Sequence, residues 1–432
     1  MPATRLSRLP IVVILLLVAT AWSTAENQES MDELLDSVAA AYGGESALSQ
    51  IESFEYEAVG YFIGRYQSRH MEPPYDRLPV RSFAAIDFAS NRSVWDSIST
   101  WPGELNMGTR TIISGDNQWT LNTISQIYTD GAMFNYDSML SSAATRMPWL
   151  LVRRMLDNRD QVSMGRSQQV NGIKYDVLRY KDHFDVLINP RTRLIYALES
   201  MSSDMTDGEI MTRRVYSHYF DKHGTMLNRR FQIWQNGVAT TDAELVSFDV
   251  GVQIDSYLEI PDGFKRVSSM DGYNGEWEIG VEDLGGGVYI AGNGETRVLY
   301  VEIDNYFVAV EAGGMPRYAE NTYNAMKPFM NGKPLKYIVP THHHDDHAIA
   351  VHFYARIGTT ILTTHDKEGF LNRLLATSWD GHGPVENAKF EFIEDMKHTL
   401  TGTGGTLDLL IYANAPHTEN MVVAYVPGKK LL

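Results

Sequence analysis

The chain contains no cysteine, and that one absence removes several chemistries at once. No disulfide can staple the fold, no thiol nucleophile is available, no thiolate can bind a metal, and no cysteine can carry a lipid near the N-terminus. Basic charge is scarce as well. After residue 25 the 54 acidic residues face 35 of the 37 lysines and arginines, a net charge of about −19. That balance argues against nucleic-acid or anionic-membrane partners, which require a cationic face. Long apolar runs are missing too: Leu9 to Trp22 spans 14 mostly apolar residues, short of the ~20 needed to cross a bilayer. There is no Gly-x-Ser-x-Gly elbow, no Ser-x-x-Lys pair and no Gly-x-x-x-x-Gly-Lys phosphate loop, so serine-nucleophile and P-loop chemistries lack their residues.

What is present divides into a leader and two domains. Arg5 and Arg8 before the apolar run, and the small residues Ser23-Thr24-Ala25 after it, read as a signal peptide over residues 1–25 with cleavage after Ala25. This predicts a periplasmic or secreted protein with no stable membrane insertion once the signal is removed. A helix is predicted over Met31 to Tyr42, with Leu34, Leu35, Val38 and Ala39 on one face and Gly43-Gly44 closing it. Candidate strands follow at Phe54 to Ile63, Ser82 to Phe88, Lys174 to Arg179, Phe184 to Ile188, Leu194 to Ser200 and Arg230 to Trp234, interrupted by one helix from Leu140 to Leu156. Residues 26–270 thus read as a β-rich domain, a curved antiparallel sheet wrapped round a helix. A change of pattern near Ser268 to Trp277 predicts a second domain over 271–432.

In that second domain Val298 to Ile303 and Tyr306 to Val310 flank a tight turn at Asp304-Asn305, and strands then alternate with helices: a helix near Tyr318 to Met330, a buried-type strand Leu335 to Val339, and a strand Thr360 to Thr364. The overall class is α+β. Between the last two strands lies Pro340-Thr341-His342-His343-His344-Asp345-Asp346-His347. Residues two apart in extended backbone share a face, so His342 and His344 can reach one metal ion while His343 points elsewhere. Where the chain turns into a helix, Asp346 and His347 are redirected and can face a second ion. Asp345 and Thr341 are candidates for supporting hydrogen bonds or, preferentially, for capping that helix.

His342-x-His344-x-Asp346-His347 resembles the signature of the metallo-β-lactamase-like hydrolases, and the resemblance extends over about residues 275 to 432. Gly287-Val288-Tyr289, the Val298 to Val310 hairpin and Glu311-Ala312 agree with it, and Ala415-Pro416-His417-Thr418 after Leu409 to Tyr412 is similar to the family's next metal-binding loop. The resemblance implies an αββα sandwich and assigns His417 as third ligand beside His342 and His344. It also implies a bridging aspartate and a last histidine beyond the strand beginning at Met421; neither occurs up to Leu432, so the chain is expected to be truncated and the sandwich incomplete. Ala348-Ile349-Ala350 stands where the family often has glycines. Gly43-Gly44-Glu45-Ser46-Ala47-Leu48 is similar to leader domains of some exported members, and the curved-sheet reading resembles periplasmic lipoprotein carriers.

Imidazoles and carboxylates without thiolate suit one or two zinc ions, and tolerate iron or manganese. The implied function is hydrolysis of an ester, thioester, lactone or lactam, with Asp346 ligating the second ion and orienting the nucleophile. Two alternatives are a mononuclear iron oxygenase of the same fold and a non-catalytic periplasmic carrier of an apolar ligand. The expected partner is a small-molecule substrate and no nucleic acid; nothing in the sequence sets an oligomeric state. Gly285-Gly286-Gly287 and Gly402 to Gly405 read as turns, and His352 and His365 as structural residues.

Overall fold

The computed structural model describes residues 29–131, 134–268, 279–293, 296–379 and 382–432. The expected signal peptide and the expected 270/271 domain boundary lie outside these residues. No helix among the described residues is long and apolar enough to cross a membrane.

The first helix, Met31–Ala41, starts at a reciprocal cap: the Ser30 hydroxyl accepts from the Glu33 amide at 3.2 Å, and the Glu33 carboxylate accepts from the Ser30 amide at 2.8 Å. It buries Leu34, Leu35, Val38 and Ala39, the face expected from their spacing. The chain leaves the helix through Gly43 at φ +111°, where a Cβ would stand 2.1 Å from the Gly224 carbonyl oxygen; only glycine fits there.

A sheet of 15 strands follows. Near its centre, Ser53–Ile63 pairs antiparallel with Arg77–Asp87 on one side and Val238–Val250 on the other. Its inner face curls round two helices, Tyr136–Ala144 and Pro148–Asp157, not the single helix expected over Leu140 to Leu156. Proline explains the break: Pro148 has no amide donor and forces Met147 into extended backbone, φ −123° and ψ 94°. Trp149 is the anchor of this core, its ring edge-on to Phe54 at 5.1 Å and to Phe248 at 5.7 Å.

The second domain is built on a seven-stranded sheet. Its strands run in spatial order Gly280–Gly285, Val288–Asn293, Thr296–Glu302, Phe307–Val310, Leu335–Val339, Thr360–Thr363 and Phe390–Phe392, antiparallel through the first four and parallel thereafter. Gly285, Gly286 and Gly287, all at positive φ, make the first turn. Alternation along Phe307–Val310 assigns its two faces. Phe307 and Ala309 pack with Ala319, Met326, Tyr354 and Phe370 of the helices, whereas Val308 and Val310 pack with Leu407, Leu409 and Val422. The latter belong to a separate three-stranded antiparallel sheet, Lys397–Gly402, Gly405–Ala413 and Asn420–Tyr425. Helices, sheet and sheet give three layers of the expected αββα sandwich.

The two domains meet through the connection at 64–76, between Ser53–Ile63 and Arg77–Asp87. Tyr66 packs on Phe370 at 6.3 Å between ring centroids, the Arg69 carbonyl accepts from the Glu419 amide at 3.0 Å, and Arg373 pairs with Glu72 at 2.8 Å. This connection lies over the histidine cluster.

Candidate metal centre

Leu335–Val339 is buried apart from Lys336 and carries the chain into the centre of the second domain. Pro340 ends it, and the chain bends at His342 and His343 before the short helix Asp345–Ala348. His342, His343 and His344 are consequently almost inaccessible, at 1%, 3% and 0% exposure. The loop after Gly405–Ala413 brings His417 against them: ring centroids lie 5.0 Å from His342 and 4.4 Å from His344, with His342 and His344 4.6 Å apart. One ring nitrogen from each of His342, His344 and His417 falls within 4.8 Å of the others.

The hydrogen bonds say which nitrogens these are. Nε2 of His344 lies 3.0 Å from the Ser68 carbonyl oxygen, which can only accept, so Nε2 carries the proton and Nδ1 presents a lone pair. The Thr341 hydroxyl donates to Glu311 at 2.7 Å and so accepts from Nδ1–H of His342 at 2.9 Å, leaving Nε2 of His342 with the lone pair. Nδ1–H of His417 donates to the Pro102 carbonyl at 3.3 Å. Nε2 of His342 and Nδ1 of His344 are buried with no hydrogen-bond partner among the described residues. Two orphaned acceptors inside a protein are costly unless something binds them. A divalent ion with a nitrogen-rich donor set fits that requirement.

Electrostatics hold the His342 and His344 rings neutral. Burial, reinforced by the neighbouring imidazoles, pushes His342 far below the ordinary histidine range and lowers His344 to about 3; a neutral ring is the form that binds metal. His343 stays out of this group, donating Nε2–H to the same Ser68 carbonyl at 2.9 Å with its ring edge-on to Phe370, but it does so beside His344, 5.0 Å between ring centroids, because the chain bends here and does not alternate as a strand would. Burial lowers it to about 4. His347 behaves differently. Burial opposes its charged form, but the hydrogen bond and charge of Glu311, with Asp346 and Asp345, outweigh it and raise its pKa.

His347 and Asp346 lie beside the three-histidine group. The His347 ring is 4.1 Å from that of His342, its Nδ1 bonds Glu311 at 2.8 Å, and its Nε2 is 3.4 Å from Asp346. Asp346 has a side chain 60% exposed and accepts from the Gln67 amide at 2.7 Å. The preference for capping fails at Thr341 and Asp345. The short helix has His344 at its N-cap with no side-chain cap; Thr341 instead links His342 to Glu311, and Asp345 accepts from the Asp346 amide at 2.9 Å and from Gln67. His365 is exposed and pairs with Glu394 at 3.2 Å, and His352 is buried near Trp379; neither joins the cluster.

Sequence reasoning gave no role to four contributors. Glu311 is the acceptor shared by Thr341 and His347, and its position at the end of Phe307–Val310, next to the histidine strand, was the available signal. Gln67, Ser68 and Pro102 come from the N-terminal domain, and two of them act through backbone carbonyls, which leave no mark on residue type.

Residues 293–432 match the family model described as the metallo-beta-lactamase superfamily. No curated protein matches the chain. Among solved structures, a metallo-beta-lactamase from Pontibacter korlensis is 20% identical over 35% of this chain and 68% of its own, with a TM-score of 0.27. One from Hirschia baltica is 19% identical over 35% of this chain and 67% of its own, also at 0.27. A LolA superfamily protein from Nitrosomonas europaea is 11% identical over 53% of this chain and 97% of its own, at 0.33. The chain thus spans about two thirds of the length of these metallo-beta-lactamases.

Proposed function

With residues 293–432 a metallo-β-lactamase-superfamily domain, we propose that the protein is a zinc-dependent hydrolase acting on an ester, thioester, lactone or lactam. The observation that carries this reading is the pair of buried, unpartnered nitrogens, Nε2 of His342 and Nδ1 of His344, converging with His417. These three side chains would hold the first ion, and Asp346 and His347 would contribute to a second. A bound zinc ion supplies Lewis acidity, lowering the pKa of water to about 7 and polarising a carbonyl. Glu311 fixes His347 directly and His342 through Thr341, so both rings are held before substrate arrives. Asp346, the solvent-facing carboxylate of the group, would orient the attacking water molecule. Ser68 sets the tautomer of His344 from the other domain. We also infer export by way of residues 1–25, to the periplasm or outside the cell, and a small-molecule substrate.

Elemental analysis of the purified protein, with turnover of ester, thioester, lactone and lactam probes before and after chelation, tests this reading. Zinc at one or more equivalents and chelator-sensitive hydrolysis is the expected result. Iron with thiol-dependent oxygen uptake would replace the hydrolase with the oxygenase reading. Absence of any bound metal would remove both.

A further inference from the structure

Of the five side chains assigned to metal, Asp346 is the most exposed. It stands in the first turn of a helix only four residues long, and among the described residues it pairs with no lysine or arginine. A short carboxylate in that position is free to turn into water unless something holds it. Two contacts do, one to each oxygen: Oδ1 accepts from the Gln67 side-chain amide at 2.7 Å, and Oδ2 lies 3.4 Å from Nε2 of His347. Nδ1 of His347 is taken by Glu311, at 2.8 Å, so Nε2 is the nitrogen left for an ion. Two ligand atoms bound to one tetrahedral zinc ion at ordinary zinc–ligand distances are themselves about 3.4 Å apart. The oxygen that Gln67 leaves free therefore stands at chelating distance from that nitrogen.

Gln67 belongs to the other domain, and its place is fixed by that domain. Its backbone amide donates to the Gly64 carbonyl at 3.0 Å, closing a turn in the 64–76 connection. The two residues before it are anchored on Asp207, which lies in the turn between Ile195–Asp204 and Gly208–Lys222 and accepts from Arg65 at 2.9 Å and from the Tyr66 hydroxyl. The Tyr66 carbonyl accepts from the Asp345 amide at 3.2 Å, so the turn carrying Gln67 and the helix carrying Asp346 are tied backbone to backbone. From there the Gln67 side-chain nitrogen reaches both neighbouring carboxylates, Asp345 at 2.5 Å and Asp346 at 2.7 Å, giving one hydrogen to each. Glutamine suits this place for a reason of charge. It bridges two adjacent carboxylates without neutralising them, whereas lysine or arginine would cancel the negative charge that attracts a cation.

We propose that Gln67 is a positioning residue for the metal centre: through this one amide the N-terminal domain holds Oδ1 of Asp346, so that Oδ2 faces His347 and a second divalent ion. This role rests on the metal site proposed above, and it makes that site the joint product of two domains. Gln67 bonds none of the three histidines assigned to the first ion, so its removal should act on the second ion and leave the first as it was. Loss of a partner that orients a metal-ligating group weakens affinity by roughly 10–100-fold. The lower end applies here, because the donor is neutral and Asp346, 60% exposed, can replace it with water.

Cobalt titration of the full chain, followed by the d–d absorption of the bound ions, tests the assignment. It reads each ion without turnover, so a protein that binds cobalt and hydrolyses none of the probes fails the hydrolase reading alone. Gln67→Met keeps the length of the side chain and removes both donors. It should bind the first ion within twofold of the parent and the second about tenfold more weakly. Gln67→Asn keeps a carboxamide in the turn but is too short to reach Asp346, and it should behave like Gln67→Met; it serves if thermal unfolding shows the methionine variant to be unfolded. In an Asp346→Asn background Gln67→Met should bring no further loss, a result that a general loosening of the fold would not give. Second-ion affinity within twofold of the parent in both variants would overturn the proposal. So would an equal loss at both ions, a further loss in the Asp346→Asn background, or a parent that takes up a single cobalt ion at saturation.

Discussion

Glu311 has no role as a metal ligand in the arrangement described, yet replacing it should loosen metal binding more than any other change outside the five candidate ligands. Its Oε2 accepts from Thr341 at 2.7 Å and from His347 at 2.8 Å, and its Oε1 accepts from the Gly313 amide at 3.1 Å. Glu311→Ala deletes both acceptor oxygens and with them all three hydrogen bonds. Thr341 then loses the fixed direction of its hydroxyl, so the proton on Nδ1 of His342 loses its defined partner and the ring can take the wrong tautomer. Loss of such an outer partner typically weakens metal affinity 10–100-fold, or about 1.4–2.7 kcal/mol. An independent figure comes from the hydrogen bonds themselves: one charged-acceptor bond contributes about 1.5–3 kcal/mol. The two ranges overlap near a 30-fold weakening. Glu311→Gln retains the volume and one carbonyl acceptor, so it should fall between parent and alanine. The assay is chelator competition for zinc or cobalt, with the thermal midpoint of the apo-protein measured alongside to separate affinity from folding. Affinities within twofold of the parent for both variants would refute the tautomer argument.

Three further outcomes are expected. His342→Ala and His344→Ala should each abolish tight metal binding, whereas His343→Ala should keep the metal and lose about 1–3 kcal/mol of stability with its buried bond to Ser68; equal metal loss on elemental analysis would contradict the exclusion of His343 from the ligand group. Asp346→Asn should retain the first ion and slow hydrolysis by roughly 10²-fold, about 2.7 kcal/mol of barrier, and full turnover would refute its role. His352, 1% exposed and away from the metal centre, is lowered from 6.5 to about 4 by burial and by Arg356. The folded state therefore binds fewer protons than the unfolded state, and this contribution is complete above pH 6.5 and lost as pH falls from there through 4, up to about 3 kcal/mol. His352→Leu should flatten the urea midpoint over that window by a corresponding amount, and an unchanged slope would count against it.

Much of the second domain was legible because its strands are buried on both faces. Leu335–Val339 has the bounds its apolar run predicts, and the hairpin at Asp304-Asn305 joins Thr296–Glu302 to Phe307–Val310 as expected. His342 and His344 were expected as a pair, and the structure brings both to His417, although the chain bends at His342 and His343 instead of staying extended as that expectation assumed. In the first domain Phe184–Ile188 is as expected, but Arg92–Trp101, Leu105–Ser114, Gly208–Lys222 and Val238–Val250 were not recognised. These strands carry serine, threonine and charged residues on partly exposed faces, and their identity comes from pairing with distant neighbours rather than from local hydrophobic pattern.

The Ser68 carbonyl has a consequence for mutational tolerance. It receives both His343 and His344, yet every amino acid has a carbonyl, so the contact is written in the path of the chain and not in a side chain. What holds that path is the Ser68 hydroxyl, which accepts from the Asp76 amide at 2.9 Å and the His70 amide at 3.2 Å. Substitutions that respect this turn leave the acceptor where it is. A one-residue insertion or deletion between Gly64 and Arg77 shifts it by about 3.8 Å, the step between consecutive Cα atoms, and takes it out of reach of both rings. The length of a surface loop in one domain is therefore under the same constraint as the ligands of the other, and this region should accept changes of letter far more readily than changes of count.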